Sequence, residues 1–274
     1  AASPSPSTLL EPLKEDTGDV SNAVWLLPPV TLRTLGAEEM TMPIRLILFD
    51  LDDTLCDHAR SFRLRVERAV AAIPRTSLRL PTERVIELAL AHPSHTWEAV
   101  QAALEQAGLT EQALLEQALA AYTSDRYFGL ELFPDSVPAV RALQQRVLTG
   151  LVTNGPSGIQ RAKLERLGIA RLFPLVVISE EVGVAKPDAT IFHMALARAG
   201  VRPEEALFIG DHPVNDVAGA ARAGLVSVWC NRSGRDWNGE LPPVFTVRSL
   251  WELYRLVEAW ASGSVPEPVG NAVR

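Results

Sequence analysis

The chain has 274 residues, 47% of them apolar, and a net charge of -7. That length suits one large domain or two smaller ones around a sizeable core. The acidic balance argues against a nucleic-acid partner, which calls for a basic patch or stripe. Cys56 and Cys230 stand far apart with no metal-binding spacing, which excludes a disulfide framework and points to a reducing cytoplasm. No apolar run reaches the length of a bilayer span, so no membrane partner is expected. The first twenty residues lack the basic-then-apolar order of a secretory signal.

Residues 1–42 are rich in Pro, Ser and Thr, show no sustained period, and read as a mostly disordered leader. Within them WLLPPV (25–30) is a short apolar stretch suited to docking on a surface. IRLILFD (44–50) is a continuous apolar run ending in an acid, the pattern of a buried parallel strand. Residues 57–132 hold no convincing strand and read as several helices. Phe62, Val66, Val70 and Ile73 share one helical face, and Thr82, Thr96 and Thr110 are candidate N-caps. Beyond them, strand and helix alternate. A helix at SVPAVRALQQ precedes a strand at VLTGLVTN (147–154). The helix SGIQRAKLERLG stops at Gly168, and PLVVIS (174–179) is the next strand. DATIFHMALARAG begins on Asp188 as N-cap and stops at Gly200. ALFIGD (206–211) is a strand, NDVAGAARAG a helix ending at Gly224, and LVSVWC (225–230) a strand. This alternation predicts an α/β fold: a doubly wound, Rossmann-like parallel sheet with an inserted helical cap domain. The expected organisation is a leader (1–42), a core (43–56 and 133–262), a cap (57–132) and a flexible tail (263–274).

In open α/β sheets, ligands bind beyond the carboxyl ends of the strands. Three of those ends read FDLDDTL, VTNG and IGDHPVND, and Lys186 follows another in GVAKPD. Asp50 and Asp52, two residues apart, reach the same side of the chain. One ionised carboxylate suits attack on phosphorus, and a second suits proton donation and acceptance. Asp211 adds a third. Like charges so close repel, and a cation relieves the repulsion. Oxygen donors without His or Cys suit Mg²⁺ rather than Zn²⁺. Singly, each residue has a plainer reading. Asp-x-Asp caps a helix, Thr153 and Asn154 make a turn, Lys186 is a solvated lysine, and Asp216 starts a helix. Their order along successive strand ends is what singles them out.

With DLDDT, VTN, AKPD and GDHPVND standing in that order, the chain resembles the haloacid dehalogenase-like (HAD) hydrolase superfamily over about residues 44–260. The insert resembles the type-1 cap of that family. The resemblance implies that Asp50 is the nucleophile and that Asp52 protonates the leaving oxygen and then activates water. Thr153, with the backbone at Asn154 and in the Leu51–Asp52 turn, would bind the phosphoryl group. Lys186 would neutralise charge on Asp50 and on the phosphoryl oxygens. Mg²⁺ would be held by Asp50, the Asp52 backbone carbonyl and Asp211, and Asp216 would orient Lys186 or a water on the metal. Asp53 and Thr54 would set the turn.

The implied function is Mg²⁺-dependent dephosphorylation of a small phosphorylated metabolite through an aspartyl-phosphate, by a monomer or homodimer. A sugar-phosphate mutase and a non-catalytic binding protein are the alternatives. An acid at position 52 separates the chain from the family's dehalogenases. The absence of lysine from residues 57–132 argues against phosphonate hydrolysis through a cap Schiff base. The motifs and the ending FTVRSLWELYRLV resemble the branch that holds nucleotide and flavin-precursor phosphatases. In the insert, Arg60 and Arg63, with His58 beside them, are candidates to meet a second anionic group on the substrate, or else form a solvated face. Tyr127 and Phe128 would stack on a ring or pack the hinge. His212 reads as a neighbour of Asp211 rather than a ligand.

Overall fold

The structure is a computed structural model that describes residues 30–32 and 42–262. Within the stretch expected as leader, residues 30–32 and 42 are described. Strand β1 (Val30–Leu32) pairs antiparallel with β2 (Met42–Ile44). The rest of the expected leader, WLLPPV apart from Val30, and the tail after residue 262 lie outside the described residues.

The core strands follow the apolar runs. β3 (Leu46–Phe49) leads into the insert, whose helices are α1 (His58–Ala71), α2 (Thr82–Ala91), α3 (Trp97–Gln106) and α4 (Gln112–Thr123). Then come α5 (Ser136–Gln144), β4 (Leu148–Thr153), α6 (Ser157–Arg166), β5 (Leu175–Ile178), α7 (Ser179–Val182) and α8 (Ala189–Ala199). The chain ends with β6 (Ala206–Gly210), α9 (Gly219–Arg222), β7 (Val226–Cys230), β8 (Phe245–Val247) and α10 (Leu250–Ala261). Six strands form one parallel sheet in the order β5-β4-β3-β6-β7-β8. β8 is an edge strand that the sequence pattern did not single out.

Because strand side chains alternate between faces, β3 feeds two cores. Ile47 and Phe49 pack with Leu151, Ile209, Val257 and Trp260. Leu46 and Leu48 pack with Val152, Phe208, Ile191 and Phe192. A sheet buried on both faces needs apolar residues at every position, which is why these strands lack alternation. The chain enters at the sheet centre, runs outward through β4 and β5, and returns to β6 on the other side of β3. The order therefore reverses between β3 and β6, and a crevice opens at their carboxyl ends.

The insert has its own apolar cluster. Phe62, Val66, Val70 and Ile73 of its first helical stretch are buried against Val85, Val100, Leu104 and Tyr122. The threonine caps behave differently from expectation. Thr82 is the first residue inside α2, after Pro81. Thr96 precedes α3 without a capping hydrogen bond, its hydroxyl instead lying 2.6 Å from that of Ser94. Thr110 stands outside α4, whose cap position is Glu111. Proline already fixes the chain direction into α2, so that end needs no side-chain cap. Asp188, by contrast, accepts from Thr190 N at 2.8 Å, and Gly200 closes α8 in the left-handed region. Among the described residues, no helix is long and apolar enough to cross a membrane.

Candidate active site

β3 delivers Asp50 to the crevice, where its backbone N–H donates to Ile209 O of β6 at 2.9 Å. The next turn is tight. Asp53 adopts φ +58, a conformation aspartate tolerates better than most residues, and its Oδ1 accepts from Ala59 N at 2.7 Å. The turn thus hands the chain directly to α1.

Lys186 is the electrostatic centre. It is buried, and its Nζ donates to Asp50 Oδ1 at 2.5 Å and to Asp216 Oδ1 at 2.7 Å. Burial opposes its charge, but the carboxylates of Asp216 and Asp50 outweigh that cost and raise its pKa. For Asp50, burial is the largest effect and pushes the carboxyl up to about 7. Lys186 pulls it down, while Asp216 and Asp52 add to the rise. Asn154 places the lysine. Its Nδ2 donates to Lys186 O at 2.8 Å, and its Oδ1 accepts from Lys186 N at 2.9 Å. Asn154, whose backbone is expected at the phosphoryl group, thus uses its side chain to tie the lysine loop to the end of β4.

Asp52 has a cation of its own. Lys163 Nζ donates to both its oxygens, at 2.7 and 2.6 Å. Gln160, one turn earlier on α6, donates to Thr153 Oγ1 at 2.6 Å and to Asp52 Oδ2 at 3.4 Å. Burial works against the charge on Asp52, yet Lys163 and His58 hold its pKa below the usual value. Neither Lys163 nor Gln160 was singled out by the sequence. α6 carries few apolar residues, so its buried polar side reads as a solvated one.

Asp211 follows β6. Its backbone carbonyl accepts from Trp229 Nε1 at 2.9 Å, and its carboxylate pairs with Arg235 at 3.2 Å. Burial, with Asp216 and Asp50 nearby, raises its pKa well above the ordinary value. Asp216 lies in a π-helical turn (Pro213–Ala218), where its Oδ2 accepts from His212 N at 2.9 Å. Such turns are rare and concentrate at functional sites. A Cβ at position 210 would collide with the Asp216 carboxylate, so Gly210 is what admits it. His212 caps this turn, its Nδ1 accepting from Val214 N and Asn215 N. The regular helix expected from Asn215 to Gly224 is thus irregular over its first half.

The structure brings Asp50, Asp52, Thr153, Asn154, Lys186, Asp211 and Asp216 to one cavity of about 450 Å³. His92, Pro93 and His95, from the loop between α2 and α3, line its insert side. Arg60 and Arg63 do not line this cavity, which favours the solvated face of the two readings open for them. Arg60 donates to Gly129 O at 2.8 Å and pairs with Glu131. Arg63 lies within 3.9 Å of Glu67, one turn along α1. Both are spent on the insert's own surface. Tyr127 packs against the core, its hydroxyl donating to Ile159 O at 3.3 Å, and Phe128 lies under the Arg68 guanidinium.

Asp50, Asp211 and Asp216 each offer an oxygen within 4.8 Å of the others. Oxygen donors of this kind fit a hard divalent cation. Both oxygens of Asp216 are engaged, by Lys186 and His212 N, whereas Asp50 and Asp211 each keep one oxygen without a hydrogen bond among the described residues and able to bind such a cation.

Residues 44–224 match the haloacid dehalogenase-like hydrolase family. A phosphoserine phosphatase of Thermus thermophilus is 41% identical over 158 residues, covering 57% of this chain and 62% of that protein. The aligned stretch thus spans less than two thirds of that relative. A glyceraldehyde 3-phosphate phosphatase of Methanopyrus kandleri is 36% identical over 201 residues, covering 69% of this chain and 84% of the relative. The HAD-hydrolase YfnB of Bacillus subtilis, solved bound to magnesium, superposes with a TM-score of 0.62 at 24% identity, over 78% of this chain and 98% of that one. At that identity the likeness speaks for the fold.

Proposed function

The chain belongs to the haloacid dehalogenase-like hydrolase family, and from that membership we propose that it is a Mg²⁺-dependent phosphatase of small phosphorylated metabolites, working through an aspartyl-phosphate on Asp50. The observation that carries this reading is the division of two carboxylates between two buried lysines. Asp50 is held by Lys186, and Asp52 by Lys163. Two neighbouring acids with separate partners can take separate roles.

In the first step an oxygen of Asp50 attacks phosphorus, the bond to the leaving oxygen breaks, and Asp52 gives that oxygen a proton. In the second step Asp52 takes a proton from water as the water attacks the phosphoryl group. Phosphate leaves and the Asp50 carboxylate returns. Lys163 favours the ionised Asp52 that the second step needs. As the phosphate dianion enters, it raises the proton affinity of Asp52, which takes up a proton from solvent and gives it to the leaving oxygen. Asp52 then returns to solvent the proton that it takes from water in the second step. Thr153 and the backbone beyond it orient the phosphoryl oxygens, and Lys186 offsets their charge. Asp50, the Asp52 carbonyl and Asp211 would hold Mg²⁺, which supplies charge neutralisation at the phosphoryl group when bound. Phosphoryl transfer asks mainly for such positioning and neutralisation. The insert acts as a cap over the cavity through its His92–His95 loop.

The relatives named above act on different phosphate esters, so the leaving group is not fixed by likeness. Phosphate release from a panel of phosphomonoesters tests the reading. Release should require Mg²⁺ and stop with a chelator. Equal release without divalent cation, or isomerised sugar phosphate in place of free phosphate, would contradict it.

A further inference from the structure

A second cavity, of about 340 Å³, adjoins the catalytic one. The two share Asp53, His95, Asp211 and Arg235 as lining residues. Nothing in the proposed chemistry uses the second cavity, yet the alcohol that Asp50 displaces from phosphorus needs a space beside the phosphoryl group. This one is contiguous and sized for a small organic group.

Its charges are specific. Of its two arginines, Arg232 is committed to structure. Arg232 donates to Thr54 O at 3.0 Å, pairs with Asp135 at 3.0 Å, and lies 4.0 Å over the ring of Phe133. Arg235 is different. Its side chain is 54% exposed, and only Nη2 is engaged, with the backbone and carboxylate of Asp211. Nε and Nη1 make no hydrogen bond among the described residues. The loop that carries Arg235 is built to hold its position. Asn231, itself buried, donates from Nδ2 to Arg235 O and accepts on Oδ1 from Arg235 N, both at 2.8 Å. A guanidinium with unspent donors, carried on a braced backbone at the wall between two cavities, is a recognition element for a carboxylate.

The acids in the same cavity complete the pattern. Asp53 and Asp57 each turn one oxygen to a backbone N–H in the first turn of α1. The remaining oxygens are acceptors for a hydroxyl or ammonium group.

We infer that this second cavity binds the leaving alcohol and that Arg235 reads a carboxylate on it, so the preferred substrates are phosphomonoesters of small hydroxy or amino acids. The inference rests on the phosphatase reading and names the substrate class of that site. Arg235 is a specificity residue, and its removal weakens binding of the carboxylate more than it slows the chemistry.

Matched pairs test it. O-phosphoserine and O-phosphoethanolamine differ by the carboxylate, as do 3-phosphoglycerate and glycerol 3-phosphate. The wild-type protein should favour the carboxylate-bearing member of each pair roughly tenfold or more in kcat/KM, as expected for one charge-assisted recognition. Arg235→Gln should collapse that ratio to within about threefold, mainly through KM, and Arg235→Lys should restore part of it. Phosphate release without preference within either pair, or a preference that survives Arg235→Gln, would overturn this inference alone. Release from none of the four esters, while other phosphomonoesters are cleaved under Mg²⁺, would likewise overturn this inference alone. Release from no phosphomonoester at all would remove the phosphatase reading and this inference with it.

Discussion

The core and the helical insert treat charge in opposite ways. At the carboxyl ends of the strands, Asp50, Lys163, Lys186 and Asp216 are buried, and each faces an opposite charge. In the insert, Arg60, Arg63 and Arg84 stay exposed and pair with Glu131, Glu67 and Glu87 on the surface. Removing an ion from water costs several kcal/mol even after relaxation, whereas an exposed pair contributes about 0–1 kcal/mol. A fold that buries four charges at one sheet end carries a cost that packing alone does not explain. The insert buries one such charge, Arg65, whose guanidinium lies over the Tyr122 ring, and keeps the pairs named above at its surface. Charge near a site is informative when it is buried and opposed, and much less so when it is solvated.

The comparison is broken most severely at Lys163. Without its ammonium, Asp52 is a buried carboxylate with no cation, and its position for proton transfer is lost. In Lys163→Met, kcat/KM for alkyl phosphates should fall about 100-fold, the usual scale of general acid–base catalysis. p-Nitrophenyl phosphate should suffer far less, because its leaving phenolate needs little protonation. Lys163→Arg should recover part of the loss. Steady-state rates on both ester types check this. An equal loss on both would make Lys163 a support of the fold only.

A smaller effect belongs to His58, at the junction of the two regions. Burial lowers its pKa from 6.5 to about 4. Between those values the unfolded chain binds more protons than the native one, so stability falls as pH drops through that window. His58→Phe should remove this component. The unfolding free energy from urea titration should then differ less between pH 7 and pH 5 than in the wild-type protein. An unchanged difference would mean that the native imidazole titrates normally.

The smallest effect is expected on the insert's surface. Arg60→Ala and Arg63→Ala should each leave kcat/KM within about twofold and stability within about 0.5 kcal/mol, as for surface substitutions generally. A large rise in KM in either variant would place the insert's arginines at the substrate after all.

Much of this was legible in the sequence, for a physical reason. Buried parallel strands must be apolar throughout, so β3, β4, β6 and β7 announce themselves, and the polar residues that end them stand out. β8 was missed because three residues, Phe245–Val247, at a sheet edge make too short a run. Lys163 and Gln160 were missed because a polar pair three apart on a helix reads as solvated until tertiary packing buries it. Their spacing from Leu164, which is buried on the same side, was the available signal. For Arg60 and Arg63 the sequence leaves substrate contact and a solvated face both open, because spacing on a helix does not say what the shared face meets, and α1 turns their side chains toward Glu131 and Glu67. Arg235 lies in a loop without pattern, and only folding brings it beside Asp211.

In the proposed mechanism Asp50 carries the phosphoryl group between the two steps. The most direct measurement is to quench the Mg²⁺-loaded protein in acid within its first turnovers on a ³²P-labelled ester and to map the label. A hydroxylamine-sensitive acyl phosphate is expected on the peptide containing Asp50 and should be absent from Asp50→Asn, which should also lose phosphate release. Label on another residue, or undiminished turnover by Asp50→Asn, would contradict it.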